Sequence, residues 1–275
     1  CIIANPDTEG FNAQFGGPRW QARSGPDGQA ERDSLADLPG STLEGDAIRG
    51  ILEGAGYQIA YAPPDSRAAD VFTRLFAQPC RVLVISAHGI YGRKAADGSY
   101  RSGVVLSDGL LITAAEIDAM PSVPELVFLN CCHLGQIAVG RDGNKLAASL
   151  ARELIDIGVR CVVAAGWAVN DANASLFGRT FYEALLLQRL PFGEAVFRAR
   201  RAVWEQDPSD ITWGAFQAYG DAGWRAEASI DGAAGADGAP YVSPDELLDD
   251  LARLRADLAR RAQRLGERER RTLVR

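Results

Sequence analysis

The chain has 275 residues, 47% of them hydrophobic and 24% charged, with a formal net charge of -7. That length buries a substantial core, and the balance is that of a globular protein, which excludes the disordered and fibrous classes. The acidic charge offers no broad basic face for nucleic acid, and no apolar run nears the roughly 20 residues that span a bilayer.

No signal peptide opens the sequence, and the missing initiator Met points to a fragment or a processed product. The five cysteines, Cys1, Cys80, Cys131, Cys132 and Cys161, are an odd number without a disulfide-type spacing, as in a reduced, cytoplasmic protein. Without a C-x-x-C pair, and with His88 and His133 the only histidines, neither a metal nor another cofactor is expected.

Apolar runs alternate with amphipathic stretches along the chain, which predicts a mostly parallel sheet covered by helices on both faces. A strand opens at Cys1–Ala4, and 12–40, rich in Gly, Pro and polar residues, reads as a surface loop. Ser41-Thr42-Leu43-Glu44 has capping-box spacing, starting a helix that ends near Gly54. Tyr57–Tyr61 reads as a strand; Asp65 or Ser66 then caps a helix burying Val71, Phe72, Leu75 and Phe76. Arg81–Ser86 is a central strand that runs into Ala87-His88-Gly89. A polar excursion follows, then a hairpin over 103–112 turning at Ser107-Asp108-Gly109, and a helix capped at Thr113 and ended by Pro121.

Leu126–Leu129 is the next central strand, leading into Asn130-Cys131-Cys132-His133. A helix over 145–157 stops at Gly158, and a strand over 160–165 leads into Gly166-Trp167-Ala168-Val169-Asn170-Asp171. Helices at about 173–188 and 192–205 and a last strand over 213–219 complete a domain of residues 1–227. Residues 228–242 form a Gly/Ala-rich linker. The last segment, 243–275, is an amphipathic helix with Leu247, Leu251, Leu254, Leu258 and Leu265 in one stripe, suited to a missing domain or a partner.

In open α/β sheets, functional loops gather beyond the carboxyl ends of the strands. One predicted strand ends at His88 and another at Cys132, and on neighbouring strands these ends lie about 5–10 Å apart. A thiol and an imidazole at that reach form an activated pair, with the imidazole taking the thiol proton. Gly89, lacking Cβ, lets a carbonyl approach the backbone, so the Gly89 and Cys132 amides are candidate oxyanion donors. Alternation turns Cys131 away from Cys132, into the core, while His133 is assigned a structural or supporting role. Cys80 and Cys161 are core residues on this reading, and Cys1 as an N-terminal nucleophile is a minor alternative.

Several of these stretches resemble one family. Ile85-Ser86-Ala87-His88-Gly89 resembles the His-Gly motif of caspase-like peptidases, and Leu129-Asn130-Cys131-Cys132-His133-Leu134-Gly135 their Cys box. Residues 102–109, Gly166–Asp171, Phe181-Tyr182, Trp213–Phe216 and Tyr219–Asp221 fall in the order found in CHAT domains, relatives of metacaspases and separase. The resemblance covers roughly 41–225 and implies a caspase-like three-layer α/β/α sandwich with a mostly parallel central sheet. It further implies a regulated cysteine endopeptidase with His88 and Cys132 catalytic, cleaving a protein substrate. A regulatory domain or activator protein outside this fragment is implied as well, in bacterial-type defence or signalling.

The family's pocket geometry makes Asn130, Trp167, Val169 and Asp171 the substrate-binding candidates. Metacaspases with basic specificity carry Asp where this chain has Asn130, so the P1 preference is undetermined, leaning basic through Asp171. Asp171 serves equally as a helix N-cap, and Trp167 as a packing residue. The alternative function is a catalytically silent interaction module in a larger signalling protein.

Overall fold

A computed structural model describes residues 1–16, 22–23, 32–131, 145–226 and 255. Six strands form the main sheet: β1 (Ile2–Ala4), β4 (Tyr61–Ala62), β5 (Val82–Ser86), β9 (Leu126–Asn130), β10 (Cys161–Ala165) and β11 (Phe216–Gly220). Their spatial order is β11-β10-β9-β5-β1-β4. All neighbours are parallel except β10 and β11, so the mostly parallel sheet of the sequence reading is present.

The strands β5, β9 and β10 are buried throughout, and apolar up to Ser86 and Asn130 at the ends of β5 and β9, because both of their faces are covered. Val84, Phe128 and Val163 face one helical layer, formed by α2 (Pro39–Gly54), α6 (Asp171–Tyr182) and α7 (Phe192–Gln206). Leu83, Val127 and Val162 face the other, with α3 (Ala68–Ala77), α4 (Ala114–Asp118) and α5 (Lys145–Asp156). This is the three-layer α/β/α sandwich. On the first side Phe128 lies among Phe177, Phe181, Tyr182 and Phe216, with ring centroids 5.6–6.3 Å from its own. Aromatic pairs at such spacing contribute about 0.5–1.5 kcal/mol each beyond area burial.

Several local expectations are corrected. The expected loop 12–40 is not without structure: α1 (Phe11–Phe15) runs into its start, and Ala22–Arg23 (β2) pair with Arg32–Leu35 (β3). Phe11 and Phe15, four residues apart, pack with ring centroids 5.1 Å apart and share a third core with Leu35, Ile90 and Val105. Helix α2 begins at Pro39 instead of after a Ser41 cap, since Pro suits the first helical turn. Only Tyr61–Ala62 of the 57–61 stretch pairs as a strand.

Helix α3 has no cap from Asp65 or Ser66; the Ala68 amide donates instead to Ser107 Oγ at 2.9 Å. On α3, Val71 and Leu75 are buried whereas Phe76 is exposed. The polar excursion after His88 is β6 (Gly89–Lys94), which pairs with β7 (Tyr100–Val105), itself paired with β8 (Leu111–Ile112). The expected strand over 213–219 starts as a helical turn, α8 (Thr212–Ala215), before β11.

Contacts divide the chain into 1–229 and 230–275. The 228–242 linker and the leucine-striped 243–275 helix lie outside the described residues, save Arg255, which is helical and exposed. No helix among the described residues is long and apolar enough to cross a membrane.

Candidate active site

The parallel register pairs Ser86 of β5 with Asn130 of β9, and the Ala87 amide continues the ladder by donating to Asn130 O at 3.1 Å. His88 stands two residues beyond Ser86, and Cys132 two residues beyond Asn130. The structure describes His88; Cys132 and His133 lie outside the described residues.

His88 is 8% exposed, in the link between the main sheet and β6. Its Nε2 lies 2.7 Å from the Ala36 carbonyl oxygen, in the link between β3 and α2. A carbonyl only accepts, so Nε2 carries the proton and, in the neutral ring, Nδ1 carries the lone pair. Nδ1 is buried and has no hydrogen-bond partner among the described residues. Burial holds the imidazole below its ordinary range, while the Ala36 bond and the Asp37 charge oppose that shift. With Nε2 fixed on Ala36 O, Nδ1 is the ring nitrogen that can accept a proton.

Gly89 pairs with Val104 while the Val105 amide donates to His88 O at 2.8 Å. In the antiparallel pattern this is a non-hydrogen-bonded pair, which turns the Gly89 N–H away from β7. A Cβ at Gly89 would stand 2.7 Å from Leu146 Cδ2 and 3.3 Å from Cys131 Cβ. The absent side chain therefore also lets β6 close on α5. Gly89→Ala is expected to lower stability by about 1–2 kcal/mol, mostly by displacing Leu146, as read from the denaturant midpoint at constant m-value.

Ser86 and Asn130 turn toward the α2 layer, where both donate to one oxygen of Glu44: Ser86 Oγ at 2.6 Å and Asn130 Nδ2 at 2.8 Å from Oε2. Glu44 is 1% exposed, and Oε1 has no partner among the described residues. Burial raises its pKa, and the charge of Asp171 adds to the rise; the Ser86 and Asn130 hydrogen bonds oppose it. Glu44 is thus a strut between two strand ends. Cys131, on the opposite side, is buried with its thiol 3.8 Å from Ile85 O.

The loop after β10 carries the other pocket candidates. Asn170, not Asp171, caps α6: its Oδ1 accepts from the Ala172 and Asn173 amides at 3.0 and 3.2 Å. Asp171 is exposed in the first turn, pressed so closely against Gly40 that a Cβ there would collide with the Asp171 carboxyl group. Trp167 is half-buried beside Gly214, its shielded Nε1–H without a partner among the described residues, and Val169 packs at the edge of the first core. Thr212 fastens this loop by accepting from the Asn170 amide at 3.0 Å. Among the described residues no group of three or more His, Cys, Asp or Glu is placed to hold a metal ion.

The family model of the CHAT domain matches residues 2–221, which takes in every element from β1 to β11. The chain belongs to the CHAT domain family. Solved structures similar to it include the Arg-specific cysteine proteinase gingipain R, at 14% identity and a TM-score of 0.48. That match covers 82% of this CHAT chain and 47% of the gingipain chain. No curated protein matches the sequence.

Proposed function

We propose that this CHAT domain is a cysteine endopeptidase acting through Cys132 and His88. The observation that carries the reading is the state of His88: buried, protonated on Nε2 by its bond to Ala36 O, and unengaged at Nδ1 among the described residues. The Ser86–Asn130 register supports it further, because Cys132 follows Asn130 by the same two residues that separate His88 from Ser86.

In this mechanism the Cys132 thiol gives its proton to His88 Nδ1, and the thiolate attacks the scissile carbonyl carbon. The Gly89 and Cys132 amides hold the resulting oxyanion, each donor contributing about 3–4 kcal/mol. As the C–N bond breaks, His88 returns the proton to the leaving amine, and a thioester remains on Cys132. Water then attacks it, passing a proton to Nδ1; the acid product leaves and the thiol is restored. The substrate is a protein segment lying along the 167–171 loop, where exposed Asp171 favours a basic P1 residue, while Asn130, buried on Glu44, holds the strand end and does not line the pocket. A domain or activator protein outside these residues controls access, in the cytoplasm.

A peptide electrophile matched to a cleavage-library consensus tests the reading. Selective modification of Cys132 is expected, lost in Cys132→Ala and kept in Cys131→Ala together with most of the cleavage. A silent interaction module would show no selective labelling, and labelling lost only in Cys131→Ala would reassign the nucleophile.

A further inference from the structure

His88 owes its orientation to a carbonyl on a separate segment, so something has to hold that segment in place. Asn5, the residue after β1, ties it down. Its Nδ2 donates to Asp37 Oδ1 at 2.6 Å, and its Oδ1 accepts from the Leu38 amide at 3.1 Å, so it grips the two residues following Ala36. Through its backbone Asn5 also reaches the His88 side: the Asn5 amide donates to Ser86 O at 2.8 Å. The Asn5 carbonyl accepts from the Asp65 amide at 3.0 Å. One buried residue therefore fixes both ends of the Ala36–His88 hydrogen bond. It does so in the left-handed region, at φ 49°, where Asn is tolerated far better than β-branched or bulky residues.

We infer that Asn5 is a positioning residue for the base: by clamping the 36–38 segment to the end of β5, it holds Ala36 O against His88 Nε2 and leaves Nδ1 as the proton acceptor. The inference rests on the peptidase reading for its catalytic consequence only; the imidazole geometry is measurable without turnover. It predicts that the Asn5–Asp37 bond works in either donor direction, because either side chain can be the amide.

The test uses the full chain, labelled with ¹⁵N, and the variants Asn5→Gly, Asn5→Asp, Asp37→Ala and the double Asn5→Asp/Asp37→Asn. The imidazole N–H signal absent from His88→Gln is that of His88. In the wild type it is expected to be visible near neutral pH, protected from exchange by Ala36. Asn5→Gly keeps the left-handed backbone but loses both side-chain bonds, and Asn5→Asp sets two carboxylates face to face. Both should lose the signal to solvent exchange, with kcat down by about 10–100-fold and KM within about twofold, as misplacement of a reacting group by about 1 Å does. Asp37→Ala, a change at an exposed site that leaves β1 intact, should accelerate exchange in the same direction.

In the double variant the amide and the carboxylate have exchanged places, so the bond re-forms with its donor on the 36–38 segment. It should recover the signal and most of kcat. A protected His88 signal in Asn5→Gly or Asp37→Ala overturns the inference, as does failure of the double variant to recover it while remaining folded. Should the wild type neither cleave nor label at Cys132, the peptidase reading falls, and the exchange comparison still decides the role of Asn5.

Discussion

His88→Gln is expected to lower kcat/KM by about 10²–10⁴-fold, the range lost with a general acid–base, while the protein stays folded. Glutamine is the informative choice because its amide nitrogen reaches toward Ala36 O as Nε2 does, but it offers nothing at the Nδ1 position to accept a proton. Structure and chemistry are thereby separated: far-UV and near-UV circular dichroism should match the wild type as cleavage collapses. In the wild type, burial holds His88 below its ordinary value of 6.5, so the acidic limb of kcat/KM is expected below that pH. The same shift sets the sign for stability. Between the depressed native value and about 6.5 the unfolded chain binds the extra proton, so stability is lost as pH falls below about 6.5. His88→Gln should flatten that part of the stability profile. Retention of more than about a tenth of wild-type kcat/KM would remove His88 from the chemistry.

The sheet and its two helical layers were legible because their signals are local. The runs 82–85, 126–129 and 161–165 are apolar on both faces, and α3, α5 and α7 repeat apolar residues at helical spacing. Their ends pointed to His88 for the same reason, since a reactive side chain directly after a buried strand has few structural uses. What escaped the sequence reading is what depends on distant residues. Ala36 acts only through its carbonyl, a group every residue carries, so its side chain gives no hint of the bond to His88. Glu44 reads as a capping partner of Ser41, yet its carboxylate turns inward because Ser86 and Asn130, 42 and 86 residues away, donate to it. The 11–15 segment did carry a signal, Phe11 and Phe15 at i and i+4, obscured by the Gly and Pro around it. Ahead of the 216–220 strand, Trp213 was misassigned because alternation over so few residues does not separate a helical turn from an extended one.

Glu44 is where stability and the site are coupled most tightly. Glu44→Leu removes the acceptor shared by Ser86 Oγ and Asn130 Nδ2 and leaves two buried donors unpaired, an expected loss of about 2–4 kcal/mol. Glu44→Gln behaves differently, because its carbonyl oxygen can take the place of Oε2 and accept both bonds. The sign of the pH effect distinguishes the two. Burial raises the Glu44 pKa above 4.5, so the native state keeps a proton that the unfolded chain has released, and stability falls as pH rises from about 4.5 through the native value. Glu44→Gln abolishes that slope and should equal or exceed the wild type at pH 8, the difference shrinking toward pH 4.5; urea midpoints at about these two pH values measure it. Because Ser86 and Asn130 each stand two residues before a proposed catalytic group, Glu44→Leu should also depress cleavage, and Glu44→Gln should keep it. If Glu44→Gln proves as damaging as Glu44→Leu at both pH values, the charge of Glu44, and not its acceptor geometry, ties the strand ends together.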